Sequence, residues 1–413
     1  MKVTGIIAEC NPFHKGHAYL IREAQARTGA DYVVVAMSGD YVQRGAPSIL
    51  SLRDRAGALL NEGADLVLEL PLYVSCAGAD YFARGGVALL ESLGVVTDLV
   101  FGSESGDLEA LQAAAERLGE EDGIFKASLR EGLRSGLTFP QARAAAAGSG
   151  VPVSPNDLLG TEYLKALRAS GSSGKIASSA KSAAGGSIGA SGSTIRPHAV
   201  PRISCQSASE IRAQMLLARS GSDPFVCRDD FSDLLLHALW SADDLSRYLD
   251  VSGDLARRIL NELPKFTTYS AFCEAVKTRN YTYTRISRAL LHILLGMTSQ
   301  AMEKFDNSYG LCGWIRPIGF KKSAIPLIRE ITASCSVPYL DKLASAEKVL
   351  TADLYGILLE EIRAEFLYDL MVAKRAGGFG SAGSSVAAGN SGSIRDSEKG
   401  VAYAFGKPLI IVE

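Results

Sequence analysis

Histidine is scarce in this 413-residue chain, which holds only five. Cysteine is sparse and scattered: seven residues at positions 10, 76, 205, 227, 273, 312 and 335, with no CxxC pair. That scatter argues against a structural zinc site and a disulfide framework, so no metal site is expected, and the thiols should be reduced. No run of about twenty apolar residues exists, so a membrane-spanning helix is not expected. The apolar stretch 3–8 is closed by Glu9 and is too short for a signal-peptide core. A cytoplasmic protein without membrane contact, and without an evident obligate protein partner, is the expectation. Excess charge is also lacking: 43 Lys and Arg against 45 Asp and Glu leave a net −2. Any surface that grips nucleic acid must therefore be local.

What is present reads first as an α/β pattern. Residues 3–8, 32–37, 66–70 and 98–101 are short apolar runs of the kind buried on both faces of a sheet. Between them, 16–28, 52–61 and 79–93 have helical patterning, with Gly29 ending the first. Alternation of this kind implies a parallel sheet covered by helices. A helical, alanine-rich stretch follows at 108–147, and a further helix at 158–168. After residue 212 the chain reads as mostly helical, with candidates at 229–249, 255–263, 270–276, 284–295 and 354–373. Residues 408–413 form a strand-like tail. The expected architecture is an N-terminal Rossmann-like domain over 1–220 and a mostly α-helical domain over 221–413. Fifteen of the 24 residues in 170–193 are Ser or Gly, a composition that reads as a flexible insertion, and 377–393 is similar.

Two of the five histidines fall in one heptapeptide, Asn11-Pro12-Phe13-His14-Lys15-Gly16-His17. It lies where the first strand gives way to the first helix. Pro12 fixes an extended turn after the strand, and Gly16 allows close approach. The helix N-terminus offers free N–H groups and partial positive charge to a phosphate. Two imidazoles three residues apart add donors on the same side. Nucleotidyl transfer requires such an arrangement, because charge builds on the non-bridging oxygens of the attacked α-phosphorus. No third ligand is apparent that would make the pair a zinc site.

The motif H-x-G-H after a first strand resembles the nucleotidyltransferase superfamily signature. The longer strings GIIAECNPFHKGHAYLIREA and VVVAMSGDYVQRGAPSIL closely resemble the N-terminus of the tRNA(Met) cytidine acetate ligases. So do DLVLELP (65–71), FGSE (101–104), PNDLLGTEYLKAL (155–167), SASEIR (207–212) and KTRNYTYTRISRALLHILL (277–295). The resemblance implies that ATP and acetate give acetyl-adenylate. The acetyl group then passes to N4 of the wobble cytidine, position 34, of elongator tRNA(Met). Magnesium would accompany ATP. It further implies an ATP-contacting stretch of Ile7, Ala8, Glu9, Cys10, Asn11, Pro12, Phe13, His14, Lys15, Gly16, His17, Ala18, Tyr19 and Leu20. His14 and His17 would be catalytic, and Gly102, Asn156 and Arg202 further ATP contacts. Arg196 is the alternative to Arg202. Asn156 also suits a helix cap, and Ser207 with Glu210 fits a capping box. Arg44 could hold a carboxylate or phosphate, or be a surface charge. A KMSKS motif is absent, which argues against a synthetase.

Residues 271–330 carry nine Lys or Arg against four acids, a local excess within the near-neutral chain. Lys277, Arg279, Arg285 and Arg288 are candidate tRNA contacts. Tyr281 and Tyr283 lie among them, suited to stacking on unpaired bases. Two other readings remain at this level: a small-molecule nucleotidyltransferase, and an RNA-binding protein that holds nucleotide without turnover.

Overall fold

The computed structural model describes residues 1–119, 123–137, 141–142, 145–146, 154–172, 193–220, 223–279, 281–376 and 407–413. Both Ser/Gly-rich segments fall almost wholly outside these residues. In chain order the elements that frame the site are β1 (Val3–Ala8), α1 (Lys15–Thr28), β2 (Tyr32–Ser38), α2 (Leu52–Asn61), β3 (Leu66–Leu70), α3 (Ala79–Ser92) and β4 (Val96–Ser103). There follow α4 (Pro155–Ser172), β5 (Arg196–Pro201), α5 (Ala208–Leu217), α6 (Tyr283–Leu295), β6 (Arg316–Lys321), α7 (Ala352–Arg375) and β7 (Ile410–Val412).

The seven strands form one sheet in the order β5-β4-β1-β2-β3-β6-β7. The five N-terminal strands run parallel. Their side chains alternate between two cores, as the two-residue period of a strand requires. Val33, Val35, Met37 and Val67 pack with Ile21 and Ala24 of α1 and Ala56, Leu59 and Leu60 of α2. Val34, Ala36, Leu66 and Leu68 face the other way, onto Phe82, Ala83, Val87 and Leu90 of α3. Burial on both faces explains why these strands are continuous apolar runs. Gly86 of α3 is needed for that approach: a Cβ there would lie 2.8 Å from Ile7 Cδ1.

Two features depart from the sequence expectation. The first is β6, a strand inside a half expected to be helical. It pairs antiparallel with β3, and β7 then pairs parallel with it. The sheet therefore crosses residue 220. Pro317 and Gly319 argue against a strand, yet a register shift between Val67 and Leu68 accommodates them. The second is the expected helix at 229–249, which is broken. A regular helix spans Ser232–Ser241 only. Ala242 is extended, and Asp244 caps a separate turn by accepting from the Ser246 N–H at 2.8 Å.

β6 is fastened by buried charge. Arg316 lies across from Glu69 of β3 and is 2.6 Å from its carboxylate. It also reaches Glu361 at 3.3 Å and Glu365 at 2.7 Å, both on α7. Lys407 adds contacts to Glu365 (2.7 Å) and Asp369. Burial pushes Glu69 well above the usual carboxylate range, against the pull of Arg316. Burial also works to raise Glu365, but Arg316 and Lys407 outweigh it and hold Glu365 at about 2.

Candidate active site

The histidine motif folds into a reciprocal helix cap. His14 is the N-cap of α1, in extended conformation (φ −151°, ψ 174°). Its Nδ1 accepts from the Gly16 N–H at 3.0 Å. His17, one turn on, accepts the His14 N–H through its own Nδ1 at 3.2 Å. With both Nδ1 atoms accepting, each neutral ring carries its proton on Nε2, leaving two free donors. The ring centroids are 4.0 Å apart. Burial lowers the pKa of both rings, with Arg202 adding to the effect. For His17 the drop, to about 3, is helped by His14. The pair is therefore neutral at physiological pH and donates without carrying charge. Gly16 has no freedom to be anything larger: a Cβ would sit 2.8 Å from the His14 ring.

These rings face a cavity of about 640 Å³. It lies over the carboxyl ends of three neighbouring parallel strands, represented by Ile7 and Ala8 of β1, Phe101 and Gly102 of β4, and Val200 and Pro201 of β5. That edge is where open α/β sheets bind ligands. Three helix N-termini converge there: α1, α4 with Pro155 and Asn156, and α5 with Ser207, Ala208 and Ser209. Each presents partial positive charge. Arg44, Arg202, Arg212 and Arg288 add four guanidinium groups to the wall, while Glu9 is the single carboxylate among the described lining residues. Phe82, Leu159 and Tyr163 supply an apolar portion. The volume and the mixture suit a nucleotide: a flat base against hydrocarbon, phosphates against N–H groups and arginines.

Of the expected ATP-contacting stretch, Ile7, Ala8, Glu9, Cys10, Asn11, His14, Gly16, His17, Tyr19 and Leu20 line this cavity, and so do Gly102, Asn156 and Arg202. Pro12, Phe13, Lys15 and Ala18 do not. Pro12 is buried in the turn, Phe13 stacks on His17 (centroids 5.6 Å), Lys15 is exposed and Ala18 is buried within α1. Arg196 lies away from the lining, paired with Asp98 at 3.1 Å. The strings FGSE and PNDLLG meet in space. Glu104 accepts from the backbone N–H groups of Asn156 and Asp157 and from the Asn156 amide. Asp157 answers by accepting from the Glu104 N–H at 2.9 Å and the Ser105 N–H at 3.1 Å. Asn156 thus lines the cavity and anchors a helix start at once. The capping box at Ser207 and Glu210 is formed, with both reciprocal bonds.

Arg55 is a positioning residue that sequence reading passed over. It is fully buried and donates to the carbonyls of Glu9 (2.8 Å), Ser38 (3.0 Å), Gly39 and Leu50 (3.1 Å). It ties the loop after β1 to the loop after β2. A signal was available, since Leu52, Arg55, Ala56, Leu59 and Leu60 form the buried stripe of α2. An arginine on an apolar stripe needs buried acceptors. Asp40 sits outside the cavity wall; burial pushes it up to about 7, opposed by Arg55.

A profile of the HIGH nucleotidyl transferases matches residues 1–378. The tRNA(Met) cytidine acetate ligase of Acetivibrio thermocellus is 34% identical over 401 residues, covering 89% of this chain and 94% of the relative. The ligase of the same name from Thermoanaerobacter sp. is 33% identical, covering 85% and 91%. The chain belongs to the tRNA(Met) cytidine acetate ligase family of HIGH nucleotidyl transferases. The fold agrees: the crystal structure of Thermotoga maritima TmcAL bound with alpha-thio ATP superposes with a TM-score of 0.79. It is 27% identical and covers 91% of this chain and 96% of that one.

Within this ligase-family fold the four expected tRNA contacts occupy different settings. Arg285 is exposed and stacks over Tyr281, 5.1 Å from the ring centroid. Lys277 is exposed and pairs with Glu274 at 3.2 Å, and Arg279 reaches the Ser135 carbonyl. Arg288 alone of the four borders the cavity, pairing with Asp250 at 3.1 Å. The excess charge counted along 271–330 is not one continuous stripe. Arg316 is buried in the sheet, and Lys304 and Lys321 pair with Asp353 and Asp65 from outside the segment.

Proposed function

We propose that this protein activates acetate with ATP and transfers the acetyl group to N4 of the wobble cytidine, position 34, of elongator tRNA(Met), giving N4-acetylcytidine. An acetate oxygen attacks the α-phosphorus and pyrophosphate departs. The cytidine amine then attacks the acetyl carbon and AMP departs. The observation that carries this reading is the pair of neutral imidazoles, each with its proton on Nε2, that line a cavity rimmed by three helix N-termini and four arginines. Such donors stabilise charge growing on the α-phosphate without themselves reacting. Family membership supplies the acceptor, since the relatives are named for acetate and the cytidine of tRNA(Met).

His14 and His17 are assigned the catalytic role, and the cavity-lining members of the 7–20 stretch, Glu9 through its main chain only, with Gly102, Asn156 and Arg202 the ATP contacts. Residues 1–220 would carry activation and 221–413 the grip on tRNA. Magnesium would enter with the triphosphate. Among the described residues no group of three or more His, Cys, Asp or Glu is placed to hold a metal, so phosphates and water would supply its ligands. A cytoplasmic setting fits seven free cysteines, and no helix among the described residues is long and apolar enough to cross a membrane.

The deciding experiment is mass analysis of tRNA nucleosides after incubation with ATP and isotope-labelled acetate. Labelled N4-acetylcytidine is expected; unlabelled nucleosides with active pyrophosphate release would favour a small-molecule acceptor. For the tRNA surface, Arg285→Ala combined with Arg288→Ala is expected to weaken filter-bound tRNA about 10- to 100-fold. It should also flatten the salt dependence by roughly two charges. Unchanged affinity at both low and moderate salt would remove these residues from the interface.

A further inference from the structure

One arm of the cavity is not explained by nucleotide binding. It is walled by Glu9, Gln43 and Arg44 on one side and by Thr284 and Arg288 of α6 on the other. The two walls are locked together. Gly45 (φ +69°) packs on the α6 backbone so closely that a Cβ would lie 2.3 Å from the Arg288 nitrogen. The Gly45 carbonyl accepts from Ser287 Oγ at 2.6 Å. Inside this arm two polar groups are adjacent and underused. Glu9 is the lone carboxylate among the described lining residues, and its Oε1 accepts the Gln43 backbone N–H at 2.9 Å. Gln43 Nε2 is buried and makes no hydrogen bond within the described residues. A carboxylate in a wall built for a polyanion is unfavourable unless it serves a second ligand, and an unpartnered buried amide is costly.

We propose that this arm receives the acceptor base, unstacked from its RNA, and that Glu9 takes the proton from its exocyclic amine while Gln43 Nε2 donates to the acceptor edge of the ring. The inference rests on the function proposed above and assigns residues to its second step. A cytosine offers an N4 amine donor beside N3 and O2 acceptors, the complement of a carboxylate beside an amide NH₂. Uracil offers the reverse, an O4 acceptor and an N3–H, so both contacts would repel. In the transfer the N4 lone pair forms the new N–C bond to the acetyl carbon. The carbonyl carbon–oxygen bond to AMP breaks, and AMP leaves with that electron pair. The N4 proton passes to the Glu9 carboxylate and then to solvent. Burial raises Glu9 above the ordinary carboxylate range, although Arg44 opposes it. That makes the ionised form a stronger base.

The test uses the full chain with ATP, radiolabelled acetate and either of two acceptors. One is a tRNA(Met) transcript; the other is hydroxylamine, which traps an acyl-adenylate as hydroxamate without help from a base. Glu9→Gln is expected to lower the ratio of tRNA acetylation to hydroxamate formation about 100-fold, the range of a lost general base. A fall in both activities by the same factor, or in neither, overturns the proposal. Gln43→Leu is expected to raise KM for tRNA about tenfold with a smaller change in kcat, as loss of one buried donor implies. An unchanged KM removes Gln43 from base recognition. Should the unaltered protein form hydroxamate yet acetylate no tRNA, the failure lies with the function proposed above and not with the residue assignment.

Discussion

Replacing His17 with alanine is expected to slow acetate-dependent ATP–pyrophosphate exchange by about 10²- to 10³-fold, the scale of removing one preorganised donor from a transition-state site. The substitution deletes the cavity-lining ring with its Nε2–H donor and frees the His14 backbone N–H from its partner. The second loss is a helix-cap loss of about 1 kcal/mol, too small to unfold the domain. Thermal melting should therefore shift by only a few degrees while exchange collapses. Since His17 is neutral well below pH 6, the deficit should be constant between pH 6 and 8. Wild-type exchange rates in the variant would show that the imidazole pair is a cap and nothing more.

The second large effect concerns stability. Arg316→Met strips the guanidinium from Glu69, Glu361 and Glu365, leaving Glu365 with Lys407 and Glu361 with the Leu72 N–H in a buried site. Removal of one partner from a buried ionic cluster costs about 3–5 kcal/mol, far more than the intact cluster adds to stability. The sign with pH follows from the carboxylates. Without the arginine Glu365 rises from about 2, and Glu69 and Glu361, already raised by burial, rise further, so the folded form is the one that holds protons. The variant is then least impaired below the ordinary carboxylate range and loses stability as pH rises toward 8. Denaturant midpoints measured at pH 5 and pH 8 should show a wider gap from wild type at pH 8. A gap that narrows with rising pH would mean that the glutamates were not held by Arg316.

Much of the N-terminal half was legible before folding, because its signals are local. The strands at 3–8, 32–38 and 66–70 are apolar on both faces, and burial on both faces leaves no periodicity to misread. The heptapeptide around His14 and His17 brings both imidazoles together within one turn of helix, and most of the residues expected around it line one cavity. What escaped was long-range. β6 looked unlike a strand because its Arg316, Pro317 and Gly319 make sense only beside Glu69, Val67 and α7. Arg55 resembled any helical arginine until its four carbonyl acceptors, supplied by three separate stretches of chain, were assembled around it. Glu9 was visible as a member of a binding stretch, but its solitude among arginines is a property of the assembled wall.

The route of the sheet bears on how this molecule can be divided. A fragment ending near residue 220 would expose the unpaired flank of Leu66–Leu70, apolar but for Glu69, and leave Glu69 without the Arg316 that faces it. Bare flanks of that composition recruit one another. The stretches before and after residue 220 thus share one sheet and are not severable by a protease cut or a cloning boundary. The last strand helps finish the platform that the first one began.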